Sequence, residues 1–195
     1  MNSLYFLVDV ETTGLDQASC EIWSVAAKVF NIKDLKIEIL GDFYDVNRNI
    51  EPKKIHSLEE KNIKEIIKKG RSGSEQQLLS DFYTFCAKQK IKYMPKKIML
   101  IGYNVSFDKG FLDYRCEKYN LDIKSIFSYH YIDVMQIYMF YLLTKGVDLY
   151  DEKLNLKSAM NRILKEESKN YIYHDALEDV NATFKLFETL FNAKR

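Results

Sequence analysis

Leu4-Tyr5-Phe6-Leu7-Val8-Asp9-Val10-Glu11-Thr12-Thr13-Gly14 is an apolar run of strand formers that ends in two carboxylates and a turn. Alternation along a strand sends Asp9 and Glu11 to one face while Val8 and Val10 go to the other. Two such neighbours repel by about 4 kcal/mol at roughly 4 Å and an effective dielectric near 20. A divalent cation with a preference for hard oxygen ligands, Mg²⁺ or Mn²⁺, removes that repulsion. A DxE triplet is common on solvent-facing edge strands, but this one extends an apolar strand. In the turn that follows, Gly14 is free to take a positive φ and let another backbone approach. The exposed amides and hydroxyls of Thr12 and Thr13 are then placed to grip a terminal sugar and phosphate.

Outward from this stretch, residues 21–30 and 36–46 repeat the strand pattern, predicting three antiparallel strands in a meander. Residues 57–70 and 75–90 show helical spacing, with Gly70 and Gly73 between them. A buried strand is expected over 97–102, a helix through 119, a strand near 129–132 and a long helix from Asp133. Helices over 155–165 and 176–192 complete the chain, the last with Leu177, Val180, Phe184, Phe187 and Phe191 on one stripe. Strands first, then alternating strand and helix, predict an α/β fold with a mixed sheet covered by helices. No internal repeat or Pro-rich linker marks a boundary, so residues 1–195 are expected to form a single domain.

Two further constellations carry chemistry. In Asn104-Val105-Ser106-Phe107-Asp108 a strand runs into a helix, and the four-residue spacing puts Asn104 and Asp108 on the same side of its first turns. Phe107, Phe111 and Leu112 read as core anchors. A lone Asp in a first turn ordinarily compensates the helix dipole. In His174-Asp175-Ala176-Leu177-Glu178-Asp179 the histidine precedes the last helix. An imidazole with a reference pKa near 6.5 accepts a proton from water at neutral pH. Asp175 reads as a helix cap and Glu178 as an exposed first-turn acid.

With 195 residues, 47% hydrophobic and 14% aromatic, the chain can bury a full core. Three cysteines without a CxxC pair suggest neither a disulfide framework nor a cysteine zinc site. Only five consecutive apolar residues, Leu4 to Val8, precede Asp9, too few for a signal peptide. The longest later apolar stretch is about half of a membrane span. A cytoplasmic protein is therefore expected. The net charge is +1, yet residues 53–97 carry 12 basic and 5 acidic groups. This basic island reads either as a track for a phosphate backbone or as a solvated lysine-rich surface.

Taken in order, Asp9-x-Glu11-Thr12-Thr13-Gly14, Asn104-x-x-x-Asp108 and His174-x-x-x-x-Asp179 resemble the three exonuclease motifs of the DEDDh family. That family lies in the ribonuclease H-like superfamily and includes the proofreading epsilon subunit of bacterial DNA polymerase III, ribonuclease T and oligoribonuclease. The resemblance spans residues 4–190 and implies a mixed five-stranded sheet, its first three strands antiparallel, flanked by helices. It also implies a 3′-to-5′ exonuclease in which Asp9, Glu11, Asp108 and Asp179 hold two divalent cations and His174 is the general base. The five-residue step from His174 to Asp179 favours this branch over the one with tyrosine, since Tyr171 and Tyr173 do not fit its spacing. Ile50-Glu51-Pro52 and Asp133 are weaker landmarks, and Asp133 reads as a cap. Tyr103 departs from the histidine that many relatives carry before the asparagine.

Thr12, Thr13, Gly14, Leu15, Asn104 and Phe107 are the expected substrate contacts, with Leu15 or Phe107 touching the terminal base. Stacking of that kind tolerates any base. Single-stranded DNA is the expected substrate, with RNA as the alternative. An idle ribonuclease H-like domain that only binds nucleic acid is the rival of another class. The chain ends a few residues beyond its last helix, which leads to the expectation of a free-standing nuclease, with polymerase association as the alternative.

Overall fold

The computed structural model describes residues 3–55 and 58–193; Met1, Asn2, His56, Ser57, Lys194 and Arg195 lie outside it. Its sheet comprises β1 (Ser3–Thr12), β2 (Ile22–Lys33), β3 (Lys36–Val46), β4 (Lys97–Gly102) and β5 (Tyr131–Asp133), in the spatial order β3-β2-β1-β4-β5. β1 runs antiparallel to β2 and parallel to β4; β2–β3 is antiparallel and β4–β5 parallel. The expected mixed five-stranded sheet with an antiparallel opening meander is thus borne out. The β2–β3 hairpin closes on Asp34 and Leu35, with φ values of 50° and 61°. Positive φ at both positions is the signature of the type I′ turn, whose twist matches that of the flanking strands.

Among the described residues there are six α-helices: α1 (Glu60–Lys68), α2 (Glu75–Tyr93), α3 (Val105–Lys118), α4 (Val134–Thr144), α5 (Leu156–Leu164) and α6 (Ala176–Asn192). Helix α1 begins three residues later than expected, and Ser57 lies outside the described residues. Helix α2 runs three residues further, to a left-handed Met94 cap with φ 42°.

Strand alternation sorts the core into two layers. Leu4, Phe6, Val8 and Val10 pack with Leu78, Leu79 and Phe82 of α2 and with Phe111 and Leu112 of α3. Leu7 faces the other way, among Val134, Tyr138, Val180 and Leu186 of α4 and α6. A third cluster around Trp23, Val46, Ile63 and Ile66 seats α1 at the end of the sheet. At the β4–α3 joint a Cβ on Gly102 would lie 2.9 Å from the Val8 carbonyl oxygen, so only glycine lets the helix start this close to β1. Asp133 caps α4, accepting from the Met135 amide at 2.9 Å, as its position predicted. Among the described residues no helix is long and apolar enough to cross a membrane.

Candidate active site

β1 outlasts its neighbour. Its pairing with β4 ends at Leu7↔Ile101, which leaves the later amides on that edge without a strand partner. Asp108, buried in the first turn of α3, fills the gap: its Oδ1 accepts from the Val10 amide at 2.8 Å. On the opposite edge the β1–β2 register shifts between Glu11 and Thr12. Such a bulge releases the Thr12–Thr13–Gly14 segment from the sheet just past the second acid.

Asp9 is partly exposed and Glu11 buried, both on the face covered by α6. Asp179 stands in the first turn of α6, where its Oδ2 accepts from the His174 amide at 2.9 Å. His174 has φ 69°, a left-handed conformation uncommon outside glycine, and its side chain is exposed. Ligand atoms of Glu11, His174 and Asp179 all lie within 4.8 Å of one another.

These acids crowd beyond what can ionise together. Burial raises the Asp9 carboxyl well above its ordinary range, and Asp108, Asp179, Glu11 and Asp175 raise it further. Glu11 is raised by burial and then by Asp179 and Asp108. Burial pushes Asp108 up to about 7 against the stabilising Val10 amide. It pushes Asp179 to about 7 against that of His174. Asp179 Oδ1 is buried and has no hydrogen-bond partner. An orphaned carboxylate oxygen among repelling acids fits a divalent cation, whose charge and hard coordination shell satisfy both.

Val10, Glu11, Thr12, Thr13, Gly14, Leu15, Phe107 and His174 line a cleft of about 370 Å³. Leu15 is 85% exposed at its rim. Asn104 lies outside this lining, exposed, with φ 58°; its amide donates to Asp133 Oδ1 at 2.9 Å. Phe107, expected chiefly as a core anchor, is half-buried and serves both core and cleft. Gly14 does not take a positive φ. The crowding there comes from a side chain: a Cβ would sit 2.6 Å from Cys20 Sγ, so any larger residue would have to displace that thiol. Glu178, expected exposed, is half-buried, and burial raises its carboxyl.

Asp175 caps α6 as expected, accepting from the Leu177 amide at 3.1 Å. It is also buried, and its charge reaches Asp9 and Glu11, which its position as a cap did not reveal. Lys69 Nζ lies 3.6 Å from Asp175 Oδ2, so the basic island touches the site at one end. The island is split by the fold. Lys61, Lys64 and Lys68 ride on α1, whereas Lys88 to Lys97 lie toward the other end of α2 and the start of β4.

The exonuclease family model of the ribonuclease T type matches residues 6–187. The chain belongs to this exonuclease family. No match was found among curated protein sequences. Solved structures similar to this exonuclease-family chain include E. coli exonuclease I in complex with a 5cy-dA13 oligonucleotide, with TM-score 0.60, 17% identity, and coverage of 98% of this chain and 42% of that one. The zinc ion bound form of the E. coli exonuclease I–ssDNA complex gives 0.63, 19%, 98% and 42%. A moderately thermophilic exonuclease I from Methylocaldum szegediense gives 0.64, 18%, 98% and 42%. At such identities the likeness is one of fold, and this chain spans about two fifths of those chains. The DEDDh resemblance seen in the motifs is borne out by the family.

Proposed function

We propose that this chain removes nucleotides from the 3′ end of single-stranded DNA by cation-dependent hydrolysis, releasing nucleoside 5′-monophosphates. The observation that carries the reading is the orphaned Asp179 Oδ1, set beside Glu11 and His174 in a cluster of raised carboxyls. Asp9, Glu11, Asp108 and Asp179 would hold two divalent cations, Mg²⁺ or Mn²⁺. When bound, they supply charge neutralisation at the phosphate and a more acidic water.

The chain's own groups do the rest. His174, exposed at the rim, takes the proton of the attacking water as its oxygen bonds to phosphorus. The bond from phosphorus to the 3′ oxygen of the penultimate nucleotide breaks, and that oxygen takes a proton from solvent. The His174 amide holds Asp179, and the Val10 amide holds Asp108, so neither acid swings when substrate enters. Thr12, Thr13 and Gly14 receive the terminal sugar, and Leu15 and Phe107 flank its base across the cleft. Apolar contact of this kind reads no sequence.

DNA is favoured over RNA because two of the solved structures similar in fold hold DNA strands. The occupied set of four acids and a histidine favours catalysis over a domain that only binds.

The test uses 5′-labelled DNA and RNA oligonucleotides with free or phosphate-blocked 3′ ends, incubated with Mg²⁺, Mn²⁺ or EDTA. A ladder of shortened products from free DNA ends, lost in EDTA and on blocked ends, is expected. Intact free-ended strands with pure, metal-saturated protein would sink the proposal, as would cleavage from the 5′ end.

A further inference from the structure

We propose that the buried Glu75–Arg115 pair is a positioning device: it clamps the loop of residues 13–20 against α3 and thereby sets where the 3′-terminal nucleotide sits. This rests on the exonuclease reading above.

The loop closes on itself through local bonds. The Thr13 amide donates to the Glu21 carbonyl and the Cys20 amide to the Asp16 carbonyl, both at 2.9 Å; the Glu21 amide donates to Thr13 Oγ1 at 2.9 Å. None of these ties it to the body of the fold. Arg115 and Glu75 do so, and they are only 1% and 4% exposed. Glu75 Oε1 accepts from the Ile22 amide at 2.7 Å, at the root of the loop, and from Arg115 Nε at 2.8 Å. Its Oε2 accepts from Tyr119 Oη at 2.7 Å and from Arg115 Nη2. Arg115 Nη1 reaches the Ala18 carbonyl at 3.4 Å, inside the loop itself. One fork therefore joins α2, α3, the start of β2 and the loop.

Stability alone does not call for ions here, because a buried pair recovers little more than its own desolvation, and apolar residues of similar volume often hold a fold as well. What an apolar pair lacks is direction. A planar guanidinium against a carboxylate fixes the Ile22 amide at the root of the loop and reaches the Ala18 carbonyl within it, each with a set direction. Helix α3 also carries Asp108 and Phe107, and at Gly110 a Cβ would lie 2.3 Å from Gln17 Nε2 of the same loop. The helix that carries Asp108 therefore also places both walls around the terminal base, Phe107 directly and Leu15 through the clamp.

The experiment compares wild type, Arg115→Lys and the double variant Glu75→Met/Arg115→Met. The first variant keeps the charge and loses the fork; the second leaves no charge buried. Each is assayed on a strand with an ordinary 3′ nucleotide and on one ending in an abasic residue, which offers no base to hold. Melting and calorimetric Mn²⁺ titration accompany the kinetics. The clamp predicts folded variants with unchanged Mn²⁺ affinity and a loss in kcat/KM of about tenfold to a hundredfold on the ordinary end. On the abasic end the change stays within about twofold. Wild-type kcat/KM on the ordinary end in a folded variant overturns the clamp, and so does an equal loss on both ends. Unfolding of both variants makes the pair structural and overturns it too. A wild-type chain that binds Mn²⁺ yet cleaves neither strand sinks the exonuclease reading itself, whereas an active wild type with insensitive variants sinks the clamp alone.

Discussion

The Val10 amide donates to Asp108 Oδ1 at 2.8 Å, between the two acids of β1, so the helix that carries the third carboxylate is tied to the strand that carries the first two. The bond separates geometry from charge at this position. Asp108→Asn keeps an acceptor for the amide and removes one of several repelling acids, so its melting temperature in EDTA should equal or exceed that of wild type. Turnover should nevertheless fall about a hundredfold or more. Asp108→Leu also strands the buried donor, at a penalty of about 1–3 kcal/mol. Paired thermal melts and kinetics decide; wild-type turnover in Asp108→Asn would remove the residue from the site.

Cation binding to the native chain alone should raise its melting temperature, by an amount corresponding to about 2.7 kcal/mol at a hundred times Kd. Asp9→Ala should abolish hydrolysis and much of this metal-dependent shift while remaining folded, because losing one repelling acid relieves the metal-free protein. Scanning calorimetry with and without Mn²⁺ is the measurement. A wild-type melting temperature indifferent to millimolar metal would count against the cluster as a cation site.

In EDTA the stability should fall as pH rises. Asp108 and Asp179 are raised to about 7 in the folded chain, against roughly 3.9 for a free aspartate. Between those values the folded chain binds more protons than the unfolded one. The stability this represents is complete below about pH 4 and is lost as pH climbs through 7. Melting temperature should therefore decline from pH 5 to pH 8 in EDTA, less steeply in Asp179→Asn, and saturating Mn²⁺ should flatten the curve. A curve that rises over this window in EDTA would contradict the crowding of these acids.

His174→Ala should lower kcat by about 10²–10⁴ while leaving the Mn²⁺-induced stabilisation largely intact. The amide that holds Asp179 belongs to the backbone and survives the substitution. Kinetics at saturating metal, together with melts, test both halves. A kcat within a factor of about two of wild type would assign proton removal to another group.

The split basic island contains its own control. Replacing Lys61, Lys64 and Lys68 of α1 by Gln should raise KM for long strands and lower the salt slope, by about 0.7 for each phosphate of a single strand that is no longer neutralised. Dinucleotide turnover should not change. The same exchange at Lys92, Lys96 and Lys97, toward the other end of α2, should do neither. Equal effects from both triplets would mean that the lysines act only through net charge.

Much of this was legible in the sequence because its causes are local. Alternation in β1 determined that Asp9 and Glu11 share a face. The stripe of α6 and the caps at Asp133 and Asp175 marked helices within a few residues, since capping and periodicity act over spans of two to four positions. The order of the three motifs placed acids from β1, α3 and α6 in one resemblance before any contact was known.

Tertiary structure decided what no local rule reaches. The Val10–Asp108 bond exists because β4 stops short of β1's end, and the Glu75–Arg115 pair joins residues 40 positions apart. Gly14 yields to the Cys20 side chain rather than to a positive φ, and the basic island divides because α2 carries its second half away from the site. Side-chain spacing within an element follows from backbone geometry, which the residues themselves dictate. Where elements end against one another, and which buried polar groups are left to find partners there, depends on how whole layers pack.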